Sequence, residues 1–213
     1  MYYAPHNAPP GFDYAVRLAG WTLDGHRLEL ALDTAEGRQT RLALAAVNPF
    51  VWRVTMIIPG AEAEPPTPIL VVQPESSVTL TVREGEHALE VTGAEVTLVI
   101  ERHPFCVRWL DENGRDICRE NPQDIDGLGR PFVLPLGFVA DEEAPLITES
   151  FHLRQDEHLF GLGEKFTPLD KRGQRIISWT QDAFGSTSER SHKNIPFLMS
   201  TRGYGVLLDT GAR

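Results

Sequence analysis

Hydrophobic and polar positions alternate with a period of two through much of this chain. Residues 27–32 (RLELAL), 40–44 (TRLAL) and 77–82 (SVTLTV) carry an apolar side chain at every second position. In an extended strand that period puts the apolar side chains on one face and leaves the other wet. Residues 51–58 (VWRVTMII) form a longer and more apolar run, which predicts a central strand. A meander follows in residues 87–91, 95–100, 105–110 and 116–119, separated by the turn residues Arg83-Glu84-Gly85-Glu86, Thr92-Gly93-Ala94, His103-Pro104 and Asn113-Gly114. Alternation resumes over 146–153. Another strand is predicted to end at Trp179, and a strand pair closes the chain, the last strand over 204–209. Short strands bounded by such turns, without a long amphipathic helix, predict an all-β fold: an antiparallel β-sandwich with little helix.

Two stretches interrupt the pattern. Residues 61–68 (AEAEPPTP) are a proline-rich connection. Residues 121–145 are rich in Pro, Gly and acid, and 121–129 (NPQDIDGLG) lack the spaced ligands and terminal Glu of an EF-hand, so they read as a surface loop. No internal repeat or clear linker divides the chain. Residues 1–11 read as a flexible N-terminal segment and residues 12–213 as one sandwich domain.

Composition narrows the classes. At 213 residues and 41% hydrophobic the chain can bury a sizeable core and is too apolar for a disordered protein. A net charge of −10 argues against a nucleic-acid partner, which needs clustered Lys and Arg. No run of 18 apolar residues predicts a membrane-spanning helix. The first 16 residues lack the basic start and apolar centre of a signal peptide, and Met1 reads as a native start. The two cysteines, Cys106 and Cys118, flank Asn113-Gly114. A tight turn there sets Trp109 opposite Cys118 and Cys106 opposite Asn121, out of register for a disulfide. Two free thiols fit a reducing compartment, so the expected location is the cytoplasm.

Few residues stand out for chemistry. The 30 carboxylates include no pair at a distinctive spacing, and no GxSxG, HExxH or P-loop motif is present. His152 and His158 straddle a turn and read as solvated side chains rather than metal ligands. In Phe160-Gly-Leu-Gly-Glu-Lys-Phe166, Gly161 and Gly163 suit positive φ or a close backbone approach. No third glycine opens a helix, so this is not a nucleotide loop. Glu164 beside Lys165 offers a surface ion pair of little worth. The long loop over 180–193 (TQDAFGSTSERSHK) mixes a carboxylate, an aromatic ring, hydroxyls and a cation, as sugar sites do. Loops of this length are usually functional or disordered. On composition alone it reads as a solvated connection with ordinary polar content.

The segments FGLGEKF, LDKRGQR, WTQDAFG, SERSHKNIPF and STRGYGVLLD, in order over residues 160–209, resemble the end of the N-terminal β-sandwich of glycoside hydrolase family 31, the α-glucosidases and α-xylosidases. Residues 78–120 resemble earlier strands of that domain, and the first 60 residues carry a general likeness. KNIPF followed by STRGYGV is similar to the bacterial α-xylosidase-like branch. The resemblance implies a galactose mutarotase-like supersandwich. It also implies a retaining enzyme whose nucleophile and acid/base aspartates lie in a (β/α)₈ barrel. Such a barrel needs ~250 residues, so the chain, which stops at Arg213, would hold no catalytic residue. No metal or organic cofactor is implied. The sandwich would pack beside its own barrel and lend the loop over 179–193 to the aglycone-side subsite. In that loop Asp182 matches the aspartate that bonds sugar hydroxyls. Phe184, also assigned to substrate binding, stands where relatives carry Gly or Tyr nearby. The expected ligand is an oligosaccharide or α-glycoside, bound through the full-length enzyme. Two rival readings are a stand-alone carbohydrate-binding or mutarotase-like module, and a structural domain that joins copies into a homo-oligomer. The four tryptophans, Trp21, Trp52, Trp109 and Trp179, lie mostly in strand patterns and are read as core, which speaks against an aromatic binding platform.

Overall fold

The computed structural model describes residues 8–60, 76–121, 133–141, 145–182, 185–186 and 190–209. The proline-rich connection, most of the acidic loop after residue 121, and Phe184 lie outside the described residues. The described residues contain strands and no helix. They fall into two compact units, one holding the chain up to His152 and one running from Leu153 onward, where the sequence reading treats 12–213 as one domain.

The first unit is a sandwich of two antiparallel sheets. One sheet joins β1 (Phe12–Asp24), β2 (Arg27–Thr34), β3 (Gln39–Asn48) and β4 (Val51–Ile57). The other is the meander β5 (Thr81–Glu84), β6 (Ala88–Thr92), β7 (Thr97–Arg102), β8 (Phe105–Leu110) and β9 (Asp116–Arg119). Two short strands, β10 (Gly137–Val139) and β11 (Leu146–Thr148), extend the first sheet to the order β11-β10-β1-β2-β3-β4. The period-two pattern does the expected work. In β2 every second residue, Leu28, Leu30, Leu32 and Thr34, is buried. These leucines join Leu42 and Leu44 in one cluster with Leu89, Val91, Leu98, Ile100 and Val107 of the opposite sheet. Each such leucine contributes ~1.5–3 kcal/mol by leaving water. On the outer face Arg27 and Arg41 pair with Glu29.

Several expectations are corrected. The apolar run over 51–58 forms β4, which is an edge strand rather than a central one. Val54 and Met56, which pair with Leu44 and Leu42, share a face, yet Val54 is exposed and Met56 buried, as an edge strand covered on one side only allows. Over 77–82 the ladder begins only at Thr81, yet Val78 and Leu80 already point into the core. The Pro-, Gly- and acid-rich stretch over 121–145, in which no strand is expected, contains β10, whose Phe138 is fully buried. At Gly137 a Cβ would lie 2.6 Å from Asp13 O, so the strand approaches β1 closely only because a glycine stands there. The strand expected over 146–153 is short because the chain changes sheets. Residues 146–148 pair with β10, whereas Asn121 N donates to Ser150 O and His152 N to Arg119 O at the end of the other sheet.

The cysteine register came out as expected by a different route. The turn spans Asp111 to Gly114, with Gly114 at φ 73° and Gly114 N donating to Asp111 O. That offsets the ladder, which pairs Leu110 with Asp116, and a bulge at Ile117 restores Trp109 opposite Cys118. Neither cysteine is in a disulfide.

The second unit holds the antiparallel sheet β12-β13-β14, made of Leu159–Gly161, Phe197–Ser200 and Gly205–Leu207. Glu157, 2% exposed, anchors it. Its Oε1 accepts from Ser200 Oγ at 2.5 Å and Tyr204 OH at 2.7 Å, and its Oε2 from Arg154 N at 3.1 Å. Burial pushes this carboxyl up, but the Ser200, Tyr204 and Arg154 bonds and the charge of Arg202 outweigh it and hold the pKa below its ordinary value. The glutamate therefore stays ionised and ties three segments together.

Candidate functional site

The segment between β12 and β13 is built from its turn upward. Gly161, Leu162 and Gly163 all have positive φ, at 122°, 67° and 82°. A Cβ at Gly161 would lie 2.4 Å from Phe197 O, and one at Gly163 would lie 2.2 Å from Lys193 O. Both roles read from the sequence, positive φ and close approach, are therefore met at both glycines. The turn rests against the returning chain, where Leu162 N donates to Phe197 O and Glu164 N to Lys193 O. Glu164 takes its ion-pair partner across this contact. Lys193 Nζ lies 3.1 Å from Glu164 Oε1, and the neighbouring Lys165 turns elsewhere.

Asp170 fixes the base of the loop. It accepts from His158 Nδ1 at 2.6 Å and from the amides of Leu159 and Arg172. The bond from His158, then that from Arg172 N, pulls its pKa down to about 2. His158, expected to be merely solvated, is thus paired, although it remains exposed.

The strand expected to end at Trp179 does not form, and residues 174–179 carry no ladder. Trp179 is 44% exposed, whereas Trp21, Trp52 and Trp109 pack on the core of the first unit as expected. Beyond Trp179 the two arms of the loop meet in a parallel bridge between Thr180 and Ser191, with Gln181 N donating to Ser191 O at 3.1 Å. That register sets Asp182 across from His192, with Oδ1 and Nδ1 3.4 Å apart. Both side chains are open to solvent, at 79% and 62%, so the pair is worth little for stability and is available to a ligand. Of the two assigned residues, Asp182 is an exposed carboxylate on this bridge, and Phe184 lies outside the described residues. His192 carries no signal in the sequence, because only the bridge register brings it to Asp182. An exposed carboxylate beside an imidazole can bond vicinal hydroxyls, the carboxylate accepting and the ring donating or accepting by tautomer.

A second carboxyl cluster lies in the first unit. Glu120, 2% exposed, accepts from Val107 N at 2.8 Å through Oε2, while Oε1 has no partner. Burial, then the nearby Glu149, raises its pKa well above the carboxylate range. Burial also raises Glu149, to about 7, so the two neighbouring carboxyls take up protons as an interacting pair. Beside them, burial first and Glu120 second push the Cys106 thiol up to about 12, which leaves it unreactive. Shifted acids often mark active sites, but this one is enclosed within the sheet. Among the described residues no cluster of three or more His, Cys, Asp and Glu could hold a metal.

A family model described as the glycosyl hydrolase 31 N-terminal galactose mutarotase-like domain matches residues 41–213. The chain is 42% identical over 73 residues to alpha-xylosidase XylQ of Lactiplantibacillus pentosus, covering 34% of this chain and 9% of that protein. It is 26% identical over 157 residues to alpha-glucosidase 2 of Bacillus thermoamyloliquefaciens, covering 71% and 18%. Among solved structures, the GH31 dextranase of Flavobacterium johnsoniae complexed with isomaltotriose superposes with a TM-score of 0.73 at 21% identity, over 92% of this chain and 22% of that one. The GH31 alpha-xylosidase of Xanthomonas citri superposes at 0.58 and 20%, over 80% and 17%. The chain therefore spans less than a fifth of the length of these curated relatives. At such identities the structural likeness shows the fold.

Proposed function

The chain belongs to the glycosyl hydrolase 31 N-terminal galactose mutarotase-like domains, and from that premise we propose that it is the accessory sandwich of a retaining α-glycosidase acting on terminal α-linked glucose or xylose. The α-xylosidase and α-glucosidase relatives support the substrate class. The hydrolysis itself belongs to two aspartates of a separate barrel. This chain contributes the loop around Asp182, which bonds hydroxyls of the aglycone-side sugar. The observation that carries this reading is the exposed carboxylate of Asp182, set opposite His192 by the Thr180–Ser191 bridge.

An apolar strand face supports packing on the barrel of the same protein. Phe197 pairs with Leu207, and Met199 lies two residues along on the same face, all three exposed. Adjoining exposed apolar side chains mark an interaction surface. Cys106 and Cys118 form no disulfide, which supports a cytoplasmic location that fractionation of the source cells would check.

The test is Asp182→Ala in the full-length enzyme. Charge-assisted bonds of this kind contribute about 1.5–3 kcal/mol, so kcat/KM for an α-linked disaccharide should fall roughly 10- to 150-fold. An aryl α-glycoside lacks the aglycone hydroxyls and should lose much less. Equal losses on both substrates would move Asp182 to a general or glycone-side role, and no loss would return the loop to a solvated connection. In calorimetry the isolated chain should bind monosaccharides more weakly than about 0.1 mM, or ~5 kcal/mol. Tighter binding would make it a stand-alone binding module.

A further inference from the structure

Three segments of the second unit converge beside the Asp182 bridge, and two half-buried side chains join them. Lys165, on the glycine turn, donates from Nζ to Ile177 O at 3.1 Å and to Asn194 Oδ1. Asn194, on the returning arm, donates from Nδ2 to Ser191 O at 3.0 Å and to Thr180 Oγ1 at 3.5 Å. One lysine and one amide therefore connect the turn at 163–165, the outgoing arm at 177–180 and the returning arm at 191–194. The contacts are of different chemical kinds, and none is made by Asp182 or His192 themselves. Among the described residues neither arm has a regular ladder to hold it beyond the Thr180–Ser191 bridge.

We infer that Lys165 and Asn194 are positioning residues that clamp the two arms and thereby hold Asp182 and His192 in register for the substrate. The inference rests on the aglycone-subsite reading above and adds the groups that give the subsite its geometry. The physical need is plain. An exposed pair on an unclamped loop must be ordered at the moment of binding, and that ordering weakens affinity. A lysine can bridge two acceptors on different segments because its ammonium offers three donors, and an amide can accept from it while donating onward. Gly163 is part of the same device, since a Cβ there would collide with Lys193 O and push the turn out of reach.

The test has a structural and a kinetic arm. The amides of Gln181 and Glu164 donate to Ser191 O and Lys193 O, so their hydrogen exchange reads the clamp directly in the 213-residue chain. Lys165→Met should speed exchange at both amides by about 2- to 10-fold, the worth of one or two ordinary hydrogen bonds. Exchange in β12 and β13 should stay unchanged, which confirms that the second unit remains folded. Asn194→Asp keeps an acceptor for Lys165 and loses the two donors, so it should loosen Gln181 and spare Glu164. In the full-length enzyme both variants should raise KM for an α-linked disaccharide by about 3- to 10-fold with little change in kcat. Unchanged exchange at both amides would overturn the clamp. Faster exchange with an unaltered KM, while Asp182→Ala still raises it, would overturn the positioning role and leave the subsite standing. Faster exchange with neither variant nor Asp182→Ala affecting KM would overturn the subsite and the positioning role together.

Discussion

Glu120 is the residue whose chemistry departs most from its sequence context. Read along the chain it is one carboxylate among 30 at the end of a strand. The fold buries it against Val107 and Cys106 and near Glu149, and the carboxyl holds a proton as a result. Its ordinary value is 4.5 and its folded value is well above that. The folded state therefore binds the proton more tightly than the unfolded one. Its contribution to stability is full below pH 4.5 and is lost as pH rises from there through the folded pKa. Glu120→Gln retains an acceptor for Val107 N and removes the ionisation. Thermal melts between pH 5 and 9 should show a shallower decline for the variant, by up to ~1.4 kcal/mol per pH unit for one proton. They should also show a higher Tm than the parent at pH 8. Parallel curves would mean that Glu120 is ionised in the folded state. Asp182 is the opposite case at this scale. Its fold context is ordinary, and only its motif singled it out.

Among the elements, alternating strands behave as the pattern predicts, and the irregular ones depend on their partners. A strand such as β2 is specified by its own residues, because a one-residue slip would turn every leucine to water. Leu30→Ala should cost ~2–5 kcal/mol in denaturant unfolding, through lost transfer energy and the cavity left behind. β10 and the short β11 answer to their neighbours instead: Gly137 fits against β1, and the chain leaves β11 to pair with the end of β9. The glycine turn is legible at the same level. Gly163→Ala combines a left-handed φ with a backbone clash and should destabilise the second unit by more than ~1 kcal/mol. Exchange protection should fall in β12 and β13 and hold in β2 and β7. Uniform loss across all four strands would show instead that the two units unfold together.

For the whole molecule, among the described residues β14 is a terminal strand of its sheet and pairs with β13. Leu207 and Leu208 are exposed at this edge. An apolar strand with unpaired backbone groups invites a further strand. A longer chain that adds a strand at this edge should have a higher Tm. Each ~1 kcal/mol gained corresponds to ~2–4 °C for a protein of this size. An unchanged Tm would mean that the edge is already satisfied as it stands. By the same reading the 213-residue chain alone should not hydrolyse aryl α-glucosides or α-xylosides above blank. Hydrolysis that disappears on changing one of its own carboxylates would overturn the accessory role.

What the sequence determined by itself is what local chemistry can determine: period-two strands, turns at Gly and Asn-Gly, and two glycines that must adopt positive φ. Its motif order also pointed to the family and to Asp182. What only the tertiary structure decided depends on contacts between distant segments. The apolar content of 51–58 could not show that β4 lies at an edge, because position in a sheet is set by which strands pair with it. The stretch over 121–145 could not announce β10, whose strand character comes from pairing with β1. Trp179 looked like a core residue because aromatic residues favour strands, yet residues 174–179 form no strand ladder and the ring stays partly exposed. His192 is 10 residues from Asp182, and Lys165 and Asn194 are 29 residues from each other and 12 and 14 from their partners Ile177 and Thr180 on the outgoing arm. Their roles follow from the closure of a long loop on a glycine turn, and no local pattern of hydrophobic and polar positions encodes that closure.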